Sequence, residues 1–100
     1  MSREYRRFVL GWLTDAELEI SVWSARWDLA HTPPESVARI NARQALQDLW
    51  YVCLDTEREH VYKAGLERYR AERQAHDLAT RRAVDLLLNP TPTVPKENAP

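Results

Sequence analysis

Few side chains in this chain carry chemistry. There are three histidines and one cysteine among 100 residues. Glu57 and His60, three residues apart on a helix, form the E-x-x-H unit that helical bundles use to hold metal ions. Such bundles use that unit twice and add two further glutamates. Here it occurs once. Glu72 and His76 share a helix face at a spacing of four, and the expected reading of both pairs is ordinary surface contact, with no metal and no cofactor. A lone Cys53 cannot form an internal disulfide or a cysteine-based zinc site within one chain, and its apolar surroundings read as a buried free thiol. Magnesium-dependent nucleotide hydrolysis on helices, as in MazG-like pyrophosphohydrolases, needs aligned E-x-x-E or E-x-x-D pairs, and the chain has none. It also lacks a glycine-rich phosphate loop and a strand–turn–helix serine elbow. The expectation is a protein that is not an enzyme.

What remains is chemistry of contact. Trp23 and Trp27 lie four apart with Ile20, and tryptophan is a preferred anchor of protein interfaces. Tyr62, Leu66 and Tyr69 open a second apolar seam. Arg68, Arg70, Arg73, Arg81 and Arg82 form the one basic concentration that could meet nucleic acid. Glu67, Glu72 and Asp77 interrupt it, as on a solvated, salt-bridged helix face. The formal charge of −1 exerts no overall pull toward polyanions.

The elements that must position these residues are helices. From Glu35 to Leu88 there is no proline and one glycine, and the stretch is rich in Ala, Leu, Arg, Glu and Gln. As one straight helix it would measure roughly 81 Å, so it either breaks or is covered by a second chain. Thr14-x-x-Glu17 is a capping box, flanked by Leu13 and Leu18 in the positions of a hydrophobic staple. The helix it starts carries two apolar stripes. Leu18, Val22, Ala25 and Leu29 form one, and Ile20, Trp23, Trp27 and Ala30 the other. The second stripe needs cover, from another subunit or from the chain itself.

Tyr5, Phe8, Val9, Trp12 and Leu13 predict a short amphipathic helix with that face buried and Arg3, Arg6 and Arg7 toward solvent. Thr32-Pro33-Pro34-Glu35 reads as a turn, with Thr32 capping a third helix that begins at Pro33 and Glu35 completing a second capping box. Ala38, Ala42 and Ala45 would permit close helix approach. The apolar rhythm slips near Asp55, where Thr56-x-x-Glu59 offers another capping box. The expected architecture is therefore all-α, a small bundle of about four helices over 3–12, 15–30, 33–54 and 56–88. One continuous helix over 33–88 in a dimer is the alternative. Residues 1–89 form the helical domain, and 90–100 are expected to be a disordered, proline-rich tail.

Leu13-Thr14-Asp15-Ala16-Glu17-Leu18-Glu19-Ile20 resembles the opening of the first helix in winged-helix repressors of the BlaI type. The resemblance covers eight residues and is largely the capping box. Nothing downstream reads as that family's strands and wing, so its function is not carried over. The size and helical-hairpin layout resemble WXG100 secreted proteins, but the turn His-Thr-Pro-Pro lacks the Trp-x-Gly that defines them.

Together these readings predict a non-catalytic protein–protein interaction module, an inhibitor or adaptor that binds a larger protein, with a homodimer expected. The competing class is a nucleic-acid-binding transcriptional regulator using the arginines of the last helix. The apolar run at the N-terminus is too short for a signal peptide or membrane span, so a cytoplasmic protein without membrane contact is expected.

Overall fold

The computed structural model describes residues 2–89. Met1 and residues 90–100, including the tail expected to be disordered, lie outside the described residues. The fold is all-α, as the patterning predicts. Helices α1 (Arg3–Leu10), α2 (Asp15–His31), α3 (Val37–Asp55) and α4 (Glu59–Leu88) follow one another without strands among the described residues. Helix α3 runs back along α2, and α4 runs parallel to α2, so that Gly65 meets Val22 and Tyr69 meets Trp27. The core is Leu18, Val22 and Ala25 of α2 with Leu46, Leu49, Val52 and Cys53 of α3 and Val61 of α4. Burial pushes the Cys53 thiol pKa up, as for an inert core cysteine.

Close helix approach occurs at Gly65, not at the alanine stripe. A Cβ on Gly65 would lie 2.6 Å from the Cβ of Val22 and 2.9 Å from the Glu19 carbonyl oxygen. Both are parts of α2 that cannot swing aside, so the absence of a side chain sets how near α4 lies to α2. Ala38, Ala42 and Ala45 instead border an open groove.

Helix α2 begins as its sequence predicts. The Thr14 hydroxyl accepts from the Glu17 N–H at 3.2 Å, and the Glu17 carboxylate accepts from the Thr14 N–H at 2.9 Å. These bonds from Thr14, the backbone one foremost, hold the Glu17 pKa below the usual carboxylate value. The next boundary departs from expectation. Thr32 closes α2, its hydroxyl donating to the Asp28 carbonyl at 2.8 Å, and α3 starts at Val37 under a Ser36 cap. Helix cannot begin readily at Pro33, because a residue preceding proline is driven out of the α region. Pro33–Ser36 forms a turn closed by a 3.2 Å bond from the Ser36 N–H to the Pro33 carbonyl. Pro34 holds its second position, and Glu35 its third with φ 67°, the type II pattern.

The break near Asp55 is present, which removes the continuous-helix alternative, but no capping box makes it. The Arg58 N–H donates to Cys53 O at 2.6 Å and the Glu57 N–H to Leu54 O at 3.2 Å. This is a Schellman motif with Glu57, φ 58°, in the left-handed position that glycine usually fills. The Arg58 side chain then ties two turns together. Its Nη1 donates to Leu13 O at 2.7 Å, its Nη2 to Gly11 O at 3.3 Å and its Nε to Thr56 Oγ1 at 2.9 Å.

Helix α4 outruns its partners. Residues 71–89 are all exposed, and the extents of 71 × 29 × 15 Å with a radius of gyration of 20.2 Å contrast with about 13 Å for a compact chain of this size.

Two outcomes follow for stability. Gly65→Ala destabilises by about 2 kcal/mol through overpacking in urea or thermal unfolding, despite the better helix propensity of alanine. Adding Val22→Ala does not relieve this, since the clash is with a Cβ and a backbone oxygen. Glu57→Gly raises stability by up to about 1 kcal/mol by removing a left-handed strain, with the fold unchanged by circular dichroism.

Candidate interaction surfaces

The tryptophan pair is covered by its own chain. Trp23 and Trp27 are half-buried between α2 and α4, with ring centroids 6.2 Å apart. The Trp23 Nε1 donates to the Glu72 carboxylate at 3.1 Å, and the Arg68 guanidinium lies 5.4 Å from its ring centroid. Trp27 meets Tyr69 edge-on and stacks on His31 at 4.2 Å. Ile20 stays on the surface, 42% exposed. The first stripe of α2 packs in the core shared by α3 and α4. In the second, Trp23 and Trp27 lie against α4, while Ile20 and Ala30 at its two ends stay exposed.

Of the Tyr62, Leu66 and Tyr69 seam on α4, Tyr69 meets the tryptophan pair, whereas Tyr62 turns to α3. Tyr62 sits edge-on to Trp50 at 5.0 Å, and burial pushes its phenol pKa up. Leu66 packs on the core. Tyr69 is buried beneath the Arg26 guanidinium, 4.5 Å from its ring centroid. Heptad spacing continues beyond Tyr69 through Arg73, His76, Thr80, Ala83 and Leu87, but α2 has ended by then and the positions are bare.

Of the arginines, Arg68 pairs with Glu19 at 3.8 Å and Glu72 at 3.5 Å, Arg70 with Glu67, and Arg73 with Asp77 at 3.4 Å. Hydrogen bonds to Tyr69 and Asp77 raise the pKa of Arg73 further. Arg81 and Arg82 have no ion pair among the described residues. The five do not converge on one basic surface; three are neutralised by their own helix or by α2. Glu57 sits in the left-handed turn and His60 in the first turn of α4, and no group of three metal-ligating side chains comes together among the described residues.

Two apolar surfaces are open that sequence patterning assigned to the interior or did not single out. The first is α1, which docks the other way round from the expected one. Asp48 is 2% exposed and takes Arg7 Nε at 3.0 Å and Arg3 Nη2 at 3.4 Å, while Arg7 also covers the Tyr51 ring at 4.3 Å. A buried carboxylate must be paired, so the arginine face of α1 turns inward. Leu10 and Leu13 reach the core. Tyr5 (54%), Phe8 (63%), Val9 (44%) and Trp12 (77%) face solvent. Nothing in the local pattern marks Asp48 as buried, so only its position on α3 reveals the inversion. Alongside α1 an open groove of about 800 Å³ runs between α2 and α3, lined by Ile20, Ser24, Ala25, Ala42, Ala45 and Leu49 among others. The second surface is the outer half of α4, with Leu78, Val84, Leu86, Leu87 and Leu88 between 44% and 81% exposed.

The fold defines a small all-α bundle of four helices among the described residues. The chain matches no known family model, and no curated protein or solved structure resembles it closely enough to count as a match.

The inverted docking of α1 sets an order of effects. Arg7→Ala leaves the Asp48 carboxylate buried with only the longer Arg3 contact and costs about 2 kcal/mol, after allowance for the partly exposed guanidinium. Asp48→Asn costs less, because Arg3 and Arg7 can turn to water. Urea unfolding of the two variants checks the ranking.

Proposed function

We propose that this chain is a non-catalytic protein–protein interaction module, an inhibitor or adaptor that occupies a surface of a larger protein, and that it presents the outer half of α4. The single observation carrying this reading is that residues 71–89 stand clear of the rest of the chain with their leucines exposed. The free part of α4, Ala71–Leu88, is roughly 27 Å long and marginal as an isolated helix. Ala75, Leu78, Ala79 and Leu86 fall within about 100° of its circumference, with Arg82 as the one charge among them, and such a stripe can lie in a partner's groove. The absence of paired carboxylates, a phosphate loop or a serine elbow from the sequence supports a binding role over catalysis.

A second reading, nucleic-acid regulation, draws on Arg81 and Arg82, which have no ion pair among the described residues while Arg68, Arg70 and Arg73 are engaged.

The test is capture from a lysate of the source organism with the tagged full chain, compared with Leu78→Asp/Leu86→Asp. Both positions are exposed, so helix content and the melting midpoint stay near those of the parent. The expected result is a discrete captured protein whose recovery falls at least about tenfold in the variant. Equal capture by both, or none above the tag alone, overturns the reading. Binding to DNA or RNA that weakens steeply with salt and vanishes in Arg81→Ala/Arg82→Ala would install the second reading instead.

A further inference from the structure

The ridge on α1 and the groove between α2 and α3 adjoin. Val9 belongs to both, as an exposed ridge residue and as part of the groove wall. A convex apolar surface beside a concave one on the same side of a molecule is self-complementary under a two-fold rotation, the geometry of a closed dimer. We propose that two copies of this chain associate across such an axis, the α1 ridge of each seated in the α2–α3 groove of the other.

Three features favour a second copy as the occupant. Tyr5, Phe8 and Trp12 are 54%, 63% and 77% exposed; at 150–250 Å² per aromatic side chain they leave roughly 300–500 Å² uncovered. A two-fold interface uses one ridge and one groove from each copy. Each copy then buries its ridge and the smaller wall of its groove, roughly 500–700 Å², somewhat below the ~800 Å² per partner of a standard interface. The groove also has the right relief, because Ser24, Ala25, Ala42 and Ala45 are small and leave room for large rings between α2 and α3. Finally, the charges match. Arg6, on the groove side of α1, and Asp28, on the α2 wall, are both exposed. Neither has an ion pair among the described residues. Carrying the ridge into the partner's groove brings Arg6 of each copy toward Asp28 of the other, where opposite charges also fix the register. The proposal stands independently of the role given to the outer half of α4.

Light scattering on a sizing column, across micromolar concentrations of the full chain, is expected to give twice the chain mass. Trp12→Glu on the ridge and Ser24→Trp in the groove each shift the species to monomer, with helix content unchanged because both positions are exposed. Arg6→Glu and Asp28→Arg each weaken association about tenfold or more, and the double variant recovers to within a few-fold of the parent. A monomer up to about 100 μM overturns the proposal, whether or not its ridge then holds another protein or a lipid vesicle. So does a dimer that survives Trp12→Glu, which would place the contact elsewhere, or a double charge variant that fails to recover.

Discussion

The contact between Gly65 and Val22 decides the geometry of the rest. Two helices that meet with a side chain on one and none on the other lie closer than two ordinary helices can. That closeness lets Trp23 and Trp27 reach Tyr69, Glu72 and Arg68 of α4. The first half of α4 is thereby aligned along α2. The second half has no choice but to continue past the end of α2, since a regular helix cannot turn without a break. The exposed outer half of α4 is thus a consequence of packing at Gly65 combined with a length of 30 residues.

A second constraint acts at the other end. One carboxylate, Asp48, is enclosed by the packing of α3 and has to be neutralised. Its partners come from α1, and taking them inward turns three aromatic rings outward. Desolvation of a charge outweighs the gain from burying an already adaptable apolar face, because an unpaired buried carboxylate costs several kcal/mol, whereas aromatic rings on a surface are tolerable. The open groove and the aromatic ridge follow from that ordering of energies. Arg58 completes the arrangement by satisfying carbonyl oxygens of the turn between α1 and α2, which keeps α1 where Asp48 needs it.

Local signals were legible where the deciding atoms are close in sequence. The Thr14–Glu17 capping box, the end of α2 near His31 and the interruption of helix after Asp55 are all set by short-range hydrogen bonding or by proline. Two boundaries depart from the local pattern for reasons that are also local: Pro33 ahead of Pro34 bars a helix start, and a left-handed Glu57 builds a turn that residue type does not announce. The contact residues divide differently. Ile20, Trp23 and Trp27 were legible as an apolar stripe, and Tyr62, Leu66 and Tyr69 as another. That the two stripes meet where Trp27 packs on Tyr69 depends on the close approach at Gly65.

The amino-acid sequence by itself determined that this chain is helical and which residues on each helix are apolar, because propensity, capping and periodicity act within a few residues. Only the tertiary structure decided which apolar faces meet and which stay open. Those outcomes rest on contacts between residues more than forty positions apart, Asp48 with Arg7 and Val22 with Gly65. In such contacts the desolvation of one charge and the missing Cβ of one glycine select among packings that local pattern alone leaves equivalent.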